Sequence, residues 1–272
     1  MTNLFKVLNR VGVTHLIISG GEFTCRPHWK QELKHALAFF CVRQISNGTG
    51  GLRLFEEIQK TLPSLSCLYT LSLSLDGSRR VHDATRVPGS YDDVIEILRV
   101  QSSIQRTVIT TVTTQNTHCL DQLFELLSDL GVGTWAIQLG LPAGRMKEDM
   151  FIGNQGVRAL ADKIADFQER AGNTMDIIPD DCFGYAHAMR NQFPWEGCPA
   201  GKSLFTILSD GTFTGCPTMS EGVGSVLCES ITTLMKRYRE SLQELCCDSC
   251  NNAVCHGGCR AVQQLFGKQF CF

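Results

Sequence analysis

The sequence predicts an α/β fold with a small cysteine-rich domain at its C-terminal end. Two observations carry this. Over the first two-thirds of the chain, short apolar segments alternate with segments of helical spacing, at intervals of roughly 30 residues. Nine of the fourteen cysteines then fall between Cys198 and Cys271. The change of character lies near Phe193–Pro194–Trp195. This places an α/β domain over 1–193 and a cysteine-rich domain over 194–272.

The elements follow in order. Leu4, Val7, Leu8 and Val11 share one helical face. His15–Ser19 is almost wholly apolar, as expected of a strand buried on both faces of a parallel sheet. Gly20 and Gly21 end it, and Pro27 suits the first turn of a helix reaching about Phe40. Val42–Ser46 is a second strand ended by Asn47–Gly48, followed by a helix over Leu52–Leu62. Tyr69–Leu75 is a third strand ended by Asp76–Gly77. Ser90 and Asp93 match the cap and third position of a helix reaching about Val100. Val108–Val112 is the fourth strand, and Leu120–Leu130 a helix stopped by Gly131. Trp135–Leu139 is the fifth strand, Gly156–Ala171 a long helix and Met175–Ile178 the sixth strand. Such alternation implies parallel βαβ units. It fits a partial barrel or an open doubly wound sheet, and in both, functional loops leave the C-terminal strand ends.

Those loops are Gly20–Gly21–Glu22, Asn47–Gly48, Asp76–Gly77, Thr114–Gln115–Asn116 and Pro142–Ala143–Gly144–Arg145. They share one rim. Glycines there admit a ligand close to the backbone. Glu22 suits an ammonium and Arg86 a carboxylate, so a ligand with both groups, such as an amino acid, suits the rim. For any single loop, the glycines are explained equally well as tight βα turns.

The net charge is −2, and there is no basic stripe or Lys/Arg run, which argues against a nucleic-acid partner. No apolar run approaches the ~20 residues of a membrane span. The N-terminal residues do not look like a secretory signal. A cytoplasmic location is therefore expected. In a reducing compartment, clustered cysteines hold metal or do redox chemistry rather than form disulfides.

The tail reads Cys198, twelve residues, Gly211, four residues, Cys216; then Cys247-x2-Cys250, four residues, Cys255-x3-Cys259, and Cys271. Leu204–Leu208 and Thr212–Gly215 read as a hairpin projecting Cys216, and Gly257–Gly258 lets the chain wrap closely round a centre. Soft thiolates on short turns suit both iron–sulfur clusters and zinc, and spacing alone leaves the two equal. Cys25, Cys41, Cys67 and Cys119 are expected to be buried small apolar residues. His82, His118 and His256 are weak ligand candidates, although His256 sits inside the cysteine run.

Several segments together resemble a known family, the radical S-adenosylmethionine (radical SAM) enzymes. LIISGGE resembles the family's GGE motif, ISNG its third-strand TNG segment, and SLSLDG with Val81–His82–Asp83 and Arg86 its fourth-strand segment. Phe23 stands where the family usually has Pro. The resemblance spans roughly residues 1–180 and implies a partial (β/α) barrel. By this resemblance, Gly20, Gly21 and Glu22 would contact the cofactor's amino group, and Ser74 and Arg86 its carboxylate. Asn47 and Asp76, on the same rim, complete the expected cofactor site. The tail resembles the SPASM extension of family members that mature peptides and proteins, with a middle spacer one residue shorter than the commonest form.

The barrel resemblance moves the balance to iron–sulfur, and the resemblance of the tail implies up to two auxiliary 4Fe-4S clusters, bound in crossed fashion. Cys198, Cys216 and Cys259 would hold the first. Its fourth position, near Leu204, is either an open iron or Cys228. Cys247, Cys250, Cys255 and Cys271 would hold the second, with Cys246 an alternative to Cys247. The implied activity is an S-adenosylmethionine-dependent oxidoreductase-type maturase acting on a peptide or protein side chain, with a reductant such as ferredoxin or flavodoxin. Pro217 follows Cys216 where sulfatase-maturing relatives carry Asp, which argues against that activity. The alternatives are a non-catalytic iron–sulfur electron carrier or peptide-binding relative, and a zinc-stabilised binding module.

The family's Cys-x3-Cys-x2-Cys loop should precede the helix at Leu4–Val11, and these 272 residues contain no such motif. The expectation is either an N-terminally truncated sequence or a relative without the radical-generating cluster. The chain alone should therefore form no 5′-deoxyadenosine from S-adenosylmethionine under dithionite. Its formation would show that another site supplies the electron.

Overall fold

The computed structural model describes residues 2–62, 64, 66–183, 198–219, 221–242 and 259–266. The expected boundary near Phe193 lies outside them, as do Cys246, Cys247, Cys250, Cys255, His256 and Cys271. The chain divides into two compact units. One is Met1–Ile137 with Phe167–Ile178, and the other is Gln138–Asp166 with Pro179–Phe272. No described helix is long and apolar enough to cross a membrane.

The main sheet has six strands: β1 (His15–Ile18), β2 (Cys41–Ser46), β3 (Tyr69–Ser74), β4 (Gln105–Val112), β5 (Thr134–Leu139) and β6 (Asp176–Pro179). Their spatial order is their chain order. β1 to β4 pair in parallel, with Leu16 opposite Val42, Gln44 opposite Leu71 and Leu73 opposite Val108. A doubly wound sheet reverses its strand order at a switch point. Here every strand lies beside the next, which is the winding of a (β/α) barrel.

Helix α1 (Thr2–Arg10) precedes β1; α2 (Trp29–Leu37), α3 (Gly51–Thr61), α5 (Ser90–Arg99), α6 (Leu120–Asp129) and α7 (Gly153–Ala171) lie between successive strands, with α4 (Arg79–Thr85) an added short helix before α5. Period-two alternation sorts β3 and β4 onto two faces. Leu71, Leu73 and Val108 lie on one face with Arg106 and are fully buried. Arg106 is held over the Phe55 ring of α3 and donates to the carbonyls of Ile97 and Val100 at the end of α5. That face is therefore the helix-covered one. The opposite face carries Ser72, Ser74 and Thr107, all buried, with Ser72 and Thr107 hydrogen-bonded at 2.7 Å. A buried polar face survives only when its groups find partners.

Two local expectations are corrected. β1 is not buried on both faces: its residues are half-buried or exposed, and Ile17 is 50% exposed. It is the edge strand, so it has one neighbour instead of two. Ser90 does not cap α5. Its hydroxyl donates to the Val87 carbonyl, and the Asp83 carboxylate instead accepts the Gly89 and Tyr91 amides.

In the other unit, β7 (Thr206–Ile207) pairs antiparallel with β8 (Phe213–Thr214), the expected hairpin. Gly211 closes its turn at φ 88°, a backbone geometry that favours glycine. Helix α8 (Ile231–Leu242) buries Ile231, Leu234, Tyr238 and Leu242 along one face. A last short helix, α9 (Arg260–Phe266), follows Cys259 directly.

Candidate functional site

The loops leaving β1, β2 and β3 are joined by side chains of the segments named above. After β1, Gly20 and Gly21 take positive φ values of 81° and 56°. A Cβ added at either would meet nothing within 4 Å, so this backbone is open to a ligand and its glycines answer to conformation rather than crowding. Glu22 follows. Its carboxylate accepts from the Ser46 hydroxyl at 2.7 Å, the Asn47 amide at 3.1 Å and the Thr24 hydroxyl at 2.9 Å. The loop after β1 is thereby fastened to the end of β2.

Asp76 performs the equivalent task for β3. It is 1% exposed. Its carboxylate accepts the Thr111 amide of β4 at 2.9 Å and Arg86 Nε at 2.5 Å. Its backbone carbonyl accepts Asn116 Nδ2 at 2.8 Å. Arg86 reaches on to Asn47 Oδ1 at 3.5 Å, so the second and third loops share one guanidinium. Arg86 is only partly covered, with 26% of its side chain exposed. Ser74, one turn of the pleat before Asp76, is 3% exposed.

The Asp76 amide donates to His82 Nδ1 at 3.1 Å, which fixes the tautomer: Nε2 carries the proton. Nε2 donates to Ser90 Oγ at 3.0 Å, whose own proton goes to the Val87 carbonyl. Burial holds the imidazole below its ordinary pKa, opposed by the nearby Asp76 charge. His82 is thus a neutral spacer that holds α4 and α5 against the end of β3.

The second unit gathers sulfur. Cys198 and Cys216 are half-buried and Cys259 is buried. Cys216 follows β8 and Cys259 precedes α9. Cys182, in the short turn Asp181–Phe183, is buried with its Sγ 3.2 Å from Cys259 Sγ. The contact with Cys182 holds the Cys259 thiol below the ordinary cysteine pKa and pushes Cys182 above it. Burial pushes up Cys198 and Cys216. Backbone amides oppose this: Ala200 and Arg260 donate to Cys198, Thr218 to Cys216, and Ala261 and Val262 to Cys259. Amides aimed at sulfur stabilise thiolates and tune clusters bound to them. Arg260 is 7% exposed, and its Nη1 has no hydrogen-bond partner among the described residues.

Among the described residues, no three His, Cys, Asp or Glu side chains converge as a single metal ion requires. The thiols share a region rather than a point. A four-iron cluster takes its thiolates at separate corners, so they stand further apart than those on one zinc.

No family model matches the sequence. The mycofactocin maturase MftC of Mycobacterium ulcerans is 26% identical over 283 residues, covering 97% of this chain and 75% of that protein. The AdoMet-dependent heme synthase of Oleidesulfovibrio alaskensis is 30% identical over 225 residues, covering 78% of this chain and 55% of its own length. Among solved structures, Streptococcus suis SuiB bound to S-adenosylmethionine superposes with a TM-score of 0.76 at 14% identity, over 99% of this chain and 67% of SuiB. SuiB bound to its precursor peptide SuiA gives 0.73 at 14% identity, over 99% of this chain and 66% of SuiB. These likenesses support the radical SAM family.

Against the radical SAM expectation, the structure brings Glu22, Asn47, Asp76 and Arg86 into one hydrogen-bonded network, with Gly20 and Gly21 opening the backbone beside it. The sequence reading missed Ser46 and Asn116, which hold Glu22 and Asp76 in place. Ser46 lies in the ISNG segment and Asn116 in the Thr114–Asn116 loop, so position alone could have flagged both. Three of the four cysteines expected to be buried, Cys25, Cys41 and Cys67, are exposed, because two sit on short surface turns and one starts β2; the fourth, Cys119, is buried. Cys228 is exposed.

The His82 network makes a direct prediction. An NMR titration should give His82 a midpoint below 6.5, with Nε2 protonated in the neutral ring. The unfolded chain then binds the proton at higher pH than the folded one. Stability from this histidine is full above the unfolded value and is lost as pH falls through the folded one. A midpoint above 6.5 would contradict the buried neutral ring.

Proposed function

We propose that this chain is a radical SAM iron–sulfur protein of the SPASM type, forming all or part of a maturase that modifies a peptide or protein side chain. The observation that carries this reading is the Glu22–Asn47–Arg86–Asp76 network, which joins three family-like strand-end segments in a barrel-type sheet. Two further facts support it. MftC is named as a maturase, and SuiB has been crystallised with its precursor peptide.

In this reading, Gly20, Gly21 and Glu22 receive the ammonium of S-adenosylmethionine, and Ser74 and Arg86 its carboxylate. Asn47 and Asp76 set the position of Arg86. Asp76 takes Nε of the guanidinium and Asn47 lies near Nη1, while the side chain stays partly exposed. When bound, the cofactor is the family's source of a substrate radical, and auxiliary clusters supply or accept single electrons. Cys198, Cys216 and Cys259 hold a first 4Fe-4S cluster; their amide donors and Arg260 Nη1, unpartnered among the described residues, suit a buried anionic group. Cys247, Cys250, Cys255 and Cys271 hold a second. Residues 194–272 would form the SPASM domain, and residues 1–193 the partial barrel. The protein works in the cytoplasm with a reductant of the ferredoxin or flavodoxin class.

A second reading is a non-catalytic relative that carries electrons or binds a peptide. Both readings share the clusters and differ in productive cofactor binding.

Calorimetry with S-adenosylmethionine tests the rim. Glu22→Gln should weaken binding on the order of tenfold, the worth of one charge-assisted hydrogen bond. Equal affinity would remove Glu22 from the site. Anaerobic reconstitution tests the tail. The chain should be brown with about eight irons, and Cys250→Ala should lose about half of them. Stoichiometric zinc without iron absorbance would favour the zinc-stabilised module, and equal loss of both clusters would reject the crossed assignment.

A further inference from the structure

The ion pair between Asp76 and Arg86 is tied at both ends to one residue. His82 is fully buried in the last turn of α4. Its ring Nδ1 accepts the Asp76 amide at 3.1 Å, and its backbone carbonyl accepts the Arg86 amide at 2.9 Å. The turn that carries Asp76 also packs on α4: a Cβ added at Gly77 would lie 3.1 Å from Val81 Cγ1. The ring itself is held in turn. Nε2 meets Ser90 Oγ at 3.0 Å, and the Tyr91 ring stands edge-on with its centroid at 6.3 Å.

We infer that His82 is a positioning residue for a ligand carboxylate at Arg86. It does not touch the ligand, and it sets the direction of the Arg86 guanidinium by fixing the backbone of both Arg86 and Asp76. The inference deepens the cofactor-site reading above and rests on it.

Direction matters here because of the chemistry of the side chain. A guanidinium is a flat fork, and a carboxylate binds it in its plane through two parallel N–H donors. Few contacts set the plane of Arg86. Nε donates to the Asp76 carboxylate at 2.5 Å, and Nη1 reaches Asn47 Oδ1 at 3.5 Å. With 26% of the side chain exposed, packing does not enclose it. The place of Asp76 relative to α4 therefore decides where the fork points. Thr111 and Asn116 also bond Asp76, but from β4 and the loop after it. Of these three partners, His82 is the one on the helix that leads into Arg86.

Simple filling of the core fits His82 less well. An apolar side chain of similar size would pack the same space with no polar atom to satisfy. Here both ring nitrogens are bonded, one accepting from the turn that holds Arg86 and one donating to α5.

The test is calorimetry on the full chain with two probes, S-adenosylmethionine and its decarboxylated form, which keeps the ammonium and lacks the carboxylate. Wild type should prefer S-adenosylmethionine, and Arg86→Gln should lose that preference. His82→Leu should weaken S-adenosylmethionine on the order of tenfold, the worth of one charge-assisted hydrogen bond, and leave the decarboxylated form unchanged. His82→Asn, whose Oδ1 replaces Nδ1 as an acceptor, should recover most of the loss. In NMR spectra without ligand, the Arg86 Nε–H signal should move in His82→Leu and return in His82→Asn. If His82→Leu fails to fold by circular dichroism, Ser90→Ala, which removes the acceptor of the Nε2 proton, carries the same measurements. Wild-type preference in the folded variant, with the preference lost in Arg86→Gln, would overturn the inference. So would equal weakening of both probes, the mark of a structural role alone. No preference in wild type, a preference that survives Arg86→Gln, or binding of neither probe would instead defeat the underlying cofactor reading, and the inference with it.

Discussion

The rim depends on the burial of one carboxylate. Asp76 ends β3 with 1% of its surface exposed, where an unpaired charge would be costly. Its partners are therefore fixed: the Thr111 amide on one side and Arg86 on the other. Leaving that carboxylate without Arg86 would cost on the order of 3–5 kcal/mol, the price of an uncompensated buried charge. Because Arg86 is so anchored, it also reaches Asn47, and Asn47 is bonded to Glu22. Three loops thus hold their relative positions through a chain of charge-assisted bonds that starts at Asp76. His82 and Asn116 secure the same residue through its backbone amide and carbonyl.

The sulfur group answers to a related constraint. Thiols buried without help are driven toward their neutral form, as burial does to Cys198 and Cys216. The backbone supplies the counterweight, through amides of Ala200, Thr218, Arg260, Ala261 and Val262. Burial still outweighs these amides at Cys198 and Cys216, whose thiols stay above the ordinary cysteine value.

Much of the rim was legible in the sequence because βα loops are short and local. A glycine pair after an apolar run fixes both the end of the strand and the place of the next residue, so Glu22, Asn47 and Asp76 could be assigned to one rim from their positions alone. Partners were not legible. Arg86 was read as facing a ligand carboxylate, and the fold shows that it first serves Asp76. Ser90 carried the sequence signature of a helix cap, but Asp83 performs that role from the preceding helix while Ser90 is engaged with His82. The apolar run at β1 suggested a strand covered on both faces, and its place at the sheet edge could not be read from composition.

By itself, the sequence determined the α/β alternation, the rim loops, the hairpin before Cys216 and the separate cysteine-rich character of the tail. These are set by periodicity, glycine placement and spacing, all of which act over a few residues. Only the tertiary structure decided that the strands wind in one direction, that Asp76 is the common anchor of the rim, and that Cys182 stands beside Cys259. The physical reason is range. A thiol separated from its partner by 77 positions has no local signature of that meeting, and only the packing of the whole unit brings the two sulfurs together.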